Sequence, residues 1–230
     1  MPLLDRVVLV HGSVGTGSVT WSPQAPLADR FDLVVVERSG YPPNPPLEQI
    51  DFAEQADELV ERLRPGDHLV GHSYGGVIAL LAAARADIRS LTVNEPPAFG
   101  LARGDPAVEE FLTKMKEAPS EPREYLQHFL PLVGVEMDVP TELAPAFEAS
   151  VRAAMAERPP HEAEIPLEQL AAGPFPKLVV TGAHNPALDA VADVLEQRLP
   201  AVRVVLPGAG HNLPRAPRYN ETLTKFLESA

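Results

Sequence analysis

The sequence predicts an α/β fold: a mostly parallel, six-stranded sheet with helices on both faces. Three observations point there. Short β-branched runs alternate with helical patterns, the runs are continuously apolar instead of alternating, and one of them passes through Gly71-His72-Ser73-Tyr74-Gly75-Gly76 straight into a small-residue helix. Continuous apolar strands separated by helices are buried on both faces, which is the condition of a parallel sheet.

The strand candidates are Val7–Val10, Leu33–Val36, His68–Val70, Ser90–Val93, Leu178–Thr181 and Val202–Leu206. Helices are expected near 22–29, 51–63, 74–85, 186–198 and 215–228. Phe52, Ala56, Leu59, Val60 and Leu63 repeat at the three- and four-residue spacing of a half-buried helix. The alternation breaks once, over 98–172, where no strand-like run occurs. Val108, Phe111, Leu112 and Met115 form one apolar stripe there, and Leu143, Phe147, Val151 and Met155 another. This insertion carries 14 acidic and 6 basic residues, a net −8 of the chain's −13. Because it leaves the carboxyl end of a central strand, where open α/β sheets bind ligands, it reads as a helical lid. The expected division is therefore a core of 1–97 and 173–230 with a lid of 98–172, rejoined through Gly173-Pro174-Phe175-Pro176.

Composition narrows the function. A chain of 230 residues buries a full core as one domain with an insertion. It has no cysteine, which excludes disulfides, thiolate catalysis and cysteine-held metals. The net charge of −13 argues against nucleic acid or an anionic membrane as partner. No apolar run approaches the roughly 20 residues of a membrane span, and Met1-Pro2-Leu3-Leu4-Asp5-Arg6 lacks the features of a secretory signal. The expectation is a soluble, cytoplasmic protein acting on a small molecule, with a homodimer left open. The 26 prolines are scattered and punctuate elements.

A Gly-x-Ser-x-Gly at a strand-to-helix junction makes a tight turn that thrusts the serine hydroxyl out at the top of a sheet. The blander use of the same string is a turn whose serine caps the helix. With His11-Gly12-Ser13, Gly15 and Gly17 after the first strand and Pro207-Gly208-Ala209-Gly210-His211-Asn212 after the last, the chain resembles the α/β-hydrolase superfamily of serine hydrolases along its whole length. The resemblance implies Ser73 as nucleophile, His211 as general base and acid, the amides of Ser13 and Tyr74 as oxyanion donors, no cofactor and no metal. His72 is expected to pack and hydrogen-bond, without a catalytic role.

The third member departs from the superfamily's pattern. Where an aspartate usually follows the fifth strand, this chain has Asn185 in Gly182-Ala183-His184-Asn185-Pro186, and an amide carries no charge to steady an imidazolium. Glu95, directly after the fourth strand, is the first substitute. Asp189, inside the next helix, is the second, and no acid at all the third. Trp21 is expected in the core, Arg38 in a loop-anchoring ion pair, and His161-Glu162 at a solvated helix start.

Two other readings compete. Gly12, Gly15 and Gly17 with Glu37 mimic a dinucleotide fingerprint, but the glycine order is reversed, Pro23 and Pro26 disturb the helix that would hold the pyrophosphate, and no Tyr-x-x-x-Lys pair occurs. A ligand-binding or lyase-like protein on the same fold is the other, motivated by Asn185. The expected activity is hydrolysis of a small or medium apolar ester or lactone through an acyl-enzyme, with the acidic lid disfavouring anionic substrates.

Overall fold

The computed structural model describes residues 4–230. Met1, Pro2 and Leu3, half of the segment read as lacking a secretory signal, lie outside the described residues. Six strands form one sheet: β1 (Arg6–Val10), β2 (Asp32–Val36), β3 (Asp67–His72), β4 (Ile88–Asn94), β5 (Lys177–Thr181) and β6 (Ala201–Val205). The order is β2-β1-β3-β4-β5-β6 and every pairing is parallel, so the sheet is wholly rather than mostly parallel. Sequence pattern follows position: β3, at the centre, is buried at every residue, whereas the edge strands β2 and β6 are half open.

Nine α-helices accompany the sheet among the described residues. They are α1 (Gly17–Thr20), α2 (Phe52–Arg62), α3 (Tyr74–Ala83), α4 (Pro106–Met115), α5 (Pro122–Leu132), α6 (Pro145–Met155), α7 (Leu167–Ala172), α8 (Pro186–Arg198) and α9 (Tyr219–Ser229). One face of the sheet packs Phe52 and Leu59 of α2, Val77 and Ile78 of α3, and Val191 and Leu195 of α8 into a continuous core. The other buries Trp21, Phe31, Tyr219 and Leu223 against Leu9, Val70 and Val180. Trp21 is thus a core residue, as its size and apolar body favour.

Prolines account for the two helices that depart from expectation. Residues 22–29 form a 3₁₀ helix with Pro23 and Pro26 in it, following the one-turn α1 that Thr16 caps. The last helix starts at Tyr219 instead of 215, because Pro217 holds Ala216 extended, at φ −65° and ψ 138°, and leaves only a 3₁₀ turn over Leu213–Arg215.

The segment between β4 and β5 carries helices and no named strand. It holds α4 to α7 with 3₁₀ turns at Phe99–Ala102 and Pro160–Glu162. The first apolar stripe lies on α4; the second lies on α6, with Leu143 just ahead of it. Helix α5 was not anticipated, although Leu126, Phe129 and Leu130 carry its spacing; they meet Val14 of the β1 loop and Val151 of α6. A parallel bridge between Ile50 and Glu157 ties the end of the insertion to the approach to α2.

Candidate active site

The strand order turns back between β1 and β3, and in open α/β sheets ligands bind in the crevice at such a switch point. The loop after β1 and the turn after β3 meet there. Ser73 has φ 52° and ψ −126° and makes no capping hydrogen bond with its side chain, so its hydroxyl is presented and does not serve the helix. The flanking glycines are required by close approach. A Cβ on Gly71 would stand 2.4 Å from the carbonyl oxygen of Gly75, and one on Gly75 would stand 2.3 Å from that of His11.

His211 follows Gly210, at φ 57°, and sits between Ser73 and Glu95. Its Nε2 is 2.9 Å from Ser73 Oγ and its Nδ1 is 2.7 Å from Glu95 Oε2. A carboxylate can only accept, so Nδ1 carries the ring proton and Nε2 is left to accept from the serine hydroxyl. Glu95 is 1 % exposed, and its Oε1 accepts from the Gly182 amide at 2.7 Å. Burial works against its charge, but His184, His211 and the Gly182 amide outweigh it and bring its pKa down to about 2. The four non-glycine residues with positive φ among the described residues, Val14, Ser73, Glu95 and Ala183, all belong to the loops that converge here. Strained backbone gathers at sites where geometry is imposed.

Asn185, at the position where the superfamily has its acid, and Asp189, the second candidate, lie elsewhere. Asn185 caps α8 through Oδ1, which accepts from the Ala187 amide at 3.0 Å, and its Nδ2 donates to the Leu132 carbonyl at 2.7 Å. Asp189 pairs with Arg203 at 3.2 Å. His72 packs 4.9 Å from the His211 ring, centroid to centroid; burial, then the neighbouring His211, depresses its pKa to about 3 and keeps it neutral.

Ser13 and Tyr74 line the cavity beside Ser73. Tyr74 opens α3, where the first amides of a helix lack intrahelical partners, and its hydroxyl donates to the Arg158 carbonyl at 3.0 Å. Ser13 Oγ donates to Glu157 Oε2 at 2.5 Å. Glu157, just beyond α6, also accepts from Tyr41 at 2.8 Å and from Arg38 at 2.7 Å. Arg38 therefore does anchor a loop by an ion pair. Burial opposes its charge, and Glu157 and Tyr41 hold the proton on, so the net direction is upward. Its Nη1 donates to the Gly12 carbonyl at 3.0 Å, and the same oxygen accepts from His11 Nδ1 at 2.8 Å.

Two apolar cavities meet at Ser73. One, of about 280 Å³, is walled by Phe99, Phe111, Leu112, Met115 and Tyr125. The other, of about 230 Å³, is walled by Val14, Leu130, Val135, Met137 and Phe147. Ser13, Ser73, Phe129, Val133 and His211 border both. His161, expected in a solvated helix start, instead lies half-buried in the wall of the first cavity, because its 3₁₀ turn folds back over Phe99–Ala102. Sequence reasoning assigned no part to Glu157 or His184, whose contacts join segments far apart in the chain.

Glu95, His184 and His211 bring ligand atoms within 4.8 Å of one another, the one such group among the described residues. Glu95 and His211 already share a 2.7 Å hydrogen bond, closer than two ligands of one zinc ion stand, so an ion would have to break that pair.

This fold and this junction define the class, and the sequence comparison names it. Residues 7–220 match the model of the alpha/beta hydrolase family, and the chain belongs to that family. A search of curated proteins finds no match. Among solved structures the chain is similar to an alpha/beta hydrolase from Sphaerobacter thermophilus DSM 20745, with 25% identity over 97% of this chain and 93% of that one, at a TM-score of 0.69. It is also similar in fold to the carboxylesterase CesB (YbfK) of Bacillus subtilis, with 19% identity, 99% and 85% coverage and a TM-score of 0.70. Est816, described as an N-acyl homoserine lactone degrading enzyme, gives 20% identity, 96% and 93% coverage and a TM-score of 0.68.

Proposed function

We propose that this protein is a cofactor-independent serine hydrolase that cleaves small or medium apolar esters or lactones through an acyl-enzyme. The observation that carries the reading is the unbroken hydrogen-bond chain from Ser73 Oγ through His211 to Glu95. Ser73 attacks the acyl carbon as His211 Nε2 takes the hydroxyl proton, and Glu95 steadies the imidazolium through Nδ1. The tetrahedral intermediate collapses when His211 returns the proton to the departing alkoxide. Water, deprotonated by the same imidazole, then releases the acid and restores Ser73.

The amides of Tyr74 and Ser13 are the oxyanion donors. A trans peptide sets its carbonyl and amide on opposite sides. The Gly12 carbonyl is held by Arg38 and His11, so the direction of the Ser13 amide is fixed in advance. The close approach of this loop to the nucleophile supports the assignment: a Cβ on Gly12 would stand 3.3 Å from Ser73 Oγ. Each such donor contributes ~3 kcal/mol to the barrier reduction.

The two cavities suit an acyl group on one side and a leaving group on the other, with the helical insertion of 98–172 as the lid above them. The carboxylesterase and lactone-degrading neighbours agree with that substrate class. The rival reading, a non-hydrolytic member of the fold, drew on Asn185; it loses that motive with Glu95 beside His211.

Incubation with a fluorophosphonate followed by peptide mapping tests the proposal. A single adduct on Ser73 is expected, and Ser73→Ala should lower kcat toward p-nitrophenyl butyrate by on the order of 10⁶-fold. An unlabelled but folded protein would support the binding reading instead.

A further inference from the structure

His184 occupies a position that the triad does not explain. Its Nε2 lies 3.0 Å from the Val133 carbonyl at the end of α5. Its Nδ1 is buried, has no hydrogen-bond partner, and stands 3.3 Å from Glu95 Oε1. The next residue grips the same helix end, with Asn185 Nδ2 on the Leu132 carbonyl. Two glycines make room for the ring. A Cβ on Gly134 would come within 2.2 Å of His184 Cδ2, and one on Gly182 within 2.9 Å of Nδ1. The imidazole is thus held between the insertion and the carboxylate.

Proton counting decides what such a ring does. A carbonyl only accepts, so Nε2 must carry a hydrogen. In the neutral ring Nδ1 would then turn a lone pair toward a carboxylate oxygen, which is repulsive; in the imidazolium it turns an N–H. We propose that His184 is a positioning residue for Glu95, an imidazolium whose Nε2–H holds the insertion's Val133 carbonyl while its charge faces the oxygen of Glu95 that His211 does not use. The inference rests on reading Glu95 as the triad's acid.

The surroundings favour that charge. The contact with Glu95, only partly offset by burial, raises the pKa of His184, and Asp189 adds to the same direction. The charged and titratable groups facing it are Glu95 after β4, His211 after β6, with ring centroids 6.2 Å apart, and Asp189 of α8, itself paired with Arg203 of β6. At the end of α5 the Val133 carbonyl accepts from it. The function is twofold. One carboxylate is fixed by two histidines, and the helical insertion is fastened to the triad by an ion pair that needs a proton.

Two readouts test this, and only one needs turnover. In the intact protein, NMR titration of the imidazoles should place His184 above the usual value of about 6.5. Glu95→Gln should lower it by on the order of one unit. A His184 that titrates at or below the usual value, or that ignores Glu95→Gln, overturns the proposal. With p-nitrophenyl butyrate, His184→Gln keeps a donor for Val133 but carries no charge. It should reduce kcat about tenfold with KM held within about twofold, and move the acid limb of kcat/KM by on the order of 0.5 pH unit. A profile that merely scales down, with the limb unmoved, contradicts the proposal. If the wild-type protein hydrolyses no ester, the proposed function fails while the titration still decides the role of His184.

Discussion

Glu95 follows β4 at φ 44°, a conformation that L side chains adopt at a cost, and the reward is a carboxylate aimed across the strand ends at His211. Ser73 and His211 were legible because each rests on a local string: glycines that permit a turn, and a Gly-x-Gly-His after a strand. Glu95 was legible in part, through the adjacency of β4 to the nucleophile strand, although Asp189 and the absence of any acid stayed open. Geometry separates them, since Asn185 is spent on the ends of α8 and α5 and Asp189 on Arg203. Glu95→Gln should therefore lower kcat by on the order of 10⁴-fold, whereas Asp189→Asn should change it by less than about threefold. Ester turnover by the two variants checks this. The reverse pattern would move the acid to Asp189. The charge of Glu95 is secure across the working range: with its folded pKa of about 2, below the ordinary 4.5, its stabilising contribution is present above pH 4.5 and fades only as pH falls toward 2.

Elements meet at this site through a buried ion pair. Arg38, leaving β2, and Glu157, just past α6, have side chains only 2 % and 6 % exposed and stand 2.7 Å apart. Each is satisfied further, Arg38 by Gln55 and the Gly12 carbonyl, Glu157 by Ser13 and Tyr41. The pair joins the helical insertion to the β1 loop. The sequence showed Arg38 as an anchor but not its partner, because 119 residues separate them and Glu157 looks like any acid at a helix end. Helix α5 escaped for a local reason: Pro122 and Pro131 at its two ends mask a stripe that is otherwise regular. Replacing Glu157 by Gln leaves Arg38 charged, buried and uncompensated, a change that costs about 3–5 kcal/mol where a buried pair is broken from one side. Urea denaturation should show a loss of that order. Kinetics should show a fall in kcat larger than the rise in KM, since the Ser13 amide is proposed to act in the transition state. A variant of unchanged stability and kcat would mean that the pair positions nothing.

Across the whole molecule, the sheet order does the organising. With β1 and β3 side by side at the reversal, the loops after them deliver Ser13 and Ser73 to one crevice, and β4 and the β6 loop bring Glu95 and His211 to its other side. The architecture was readable because continuous apolar strands alternating with helices allow few other arrangements. The residues that tune the site were not, because a contact such as Glu95 with His184 exists only after the sheet has aligned two loops distant in sequence. No helix among the described residues is long and apolar enough to cross a membrane.

In the proposed mechanism His211 and Glu95 make Ser73 reactive enough to take up an acyl group. Rapid-quench mass spectrometry of the wild-type protein with p-nitrophenyl butyrate tests it most directly. A burst of nitrophenol matched by a butyryl adduct mapped to Ser73 is expected, with the burst lost in Glu95→Gln. Nitrophenol release without any adduct, or an adduct at another residue, would contradict it.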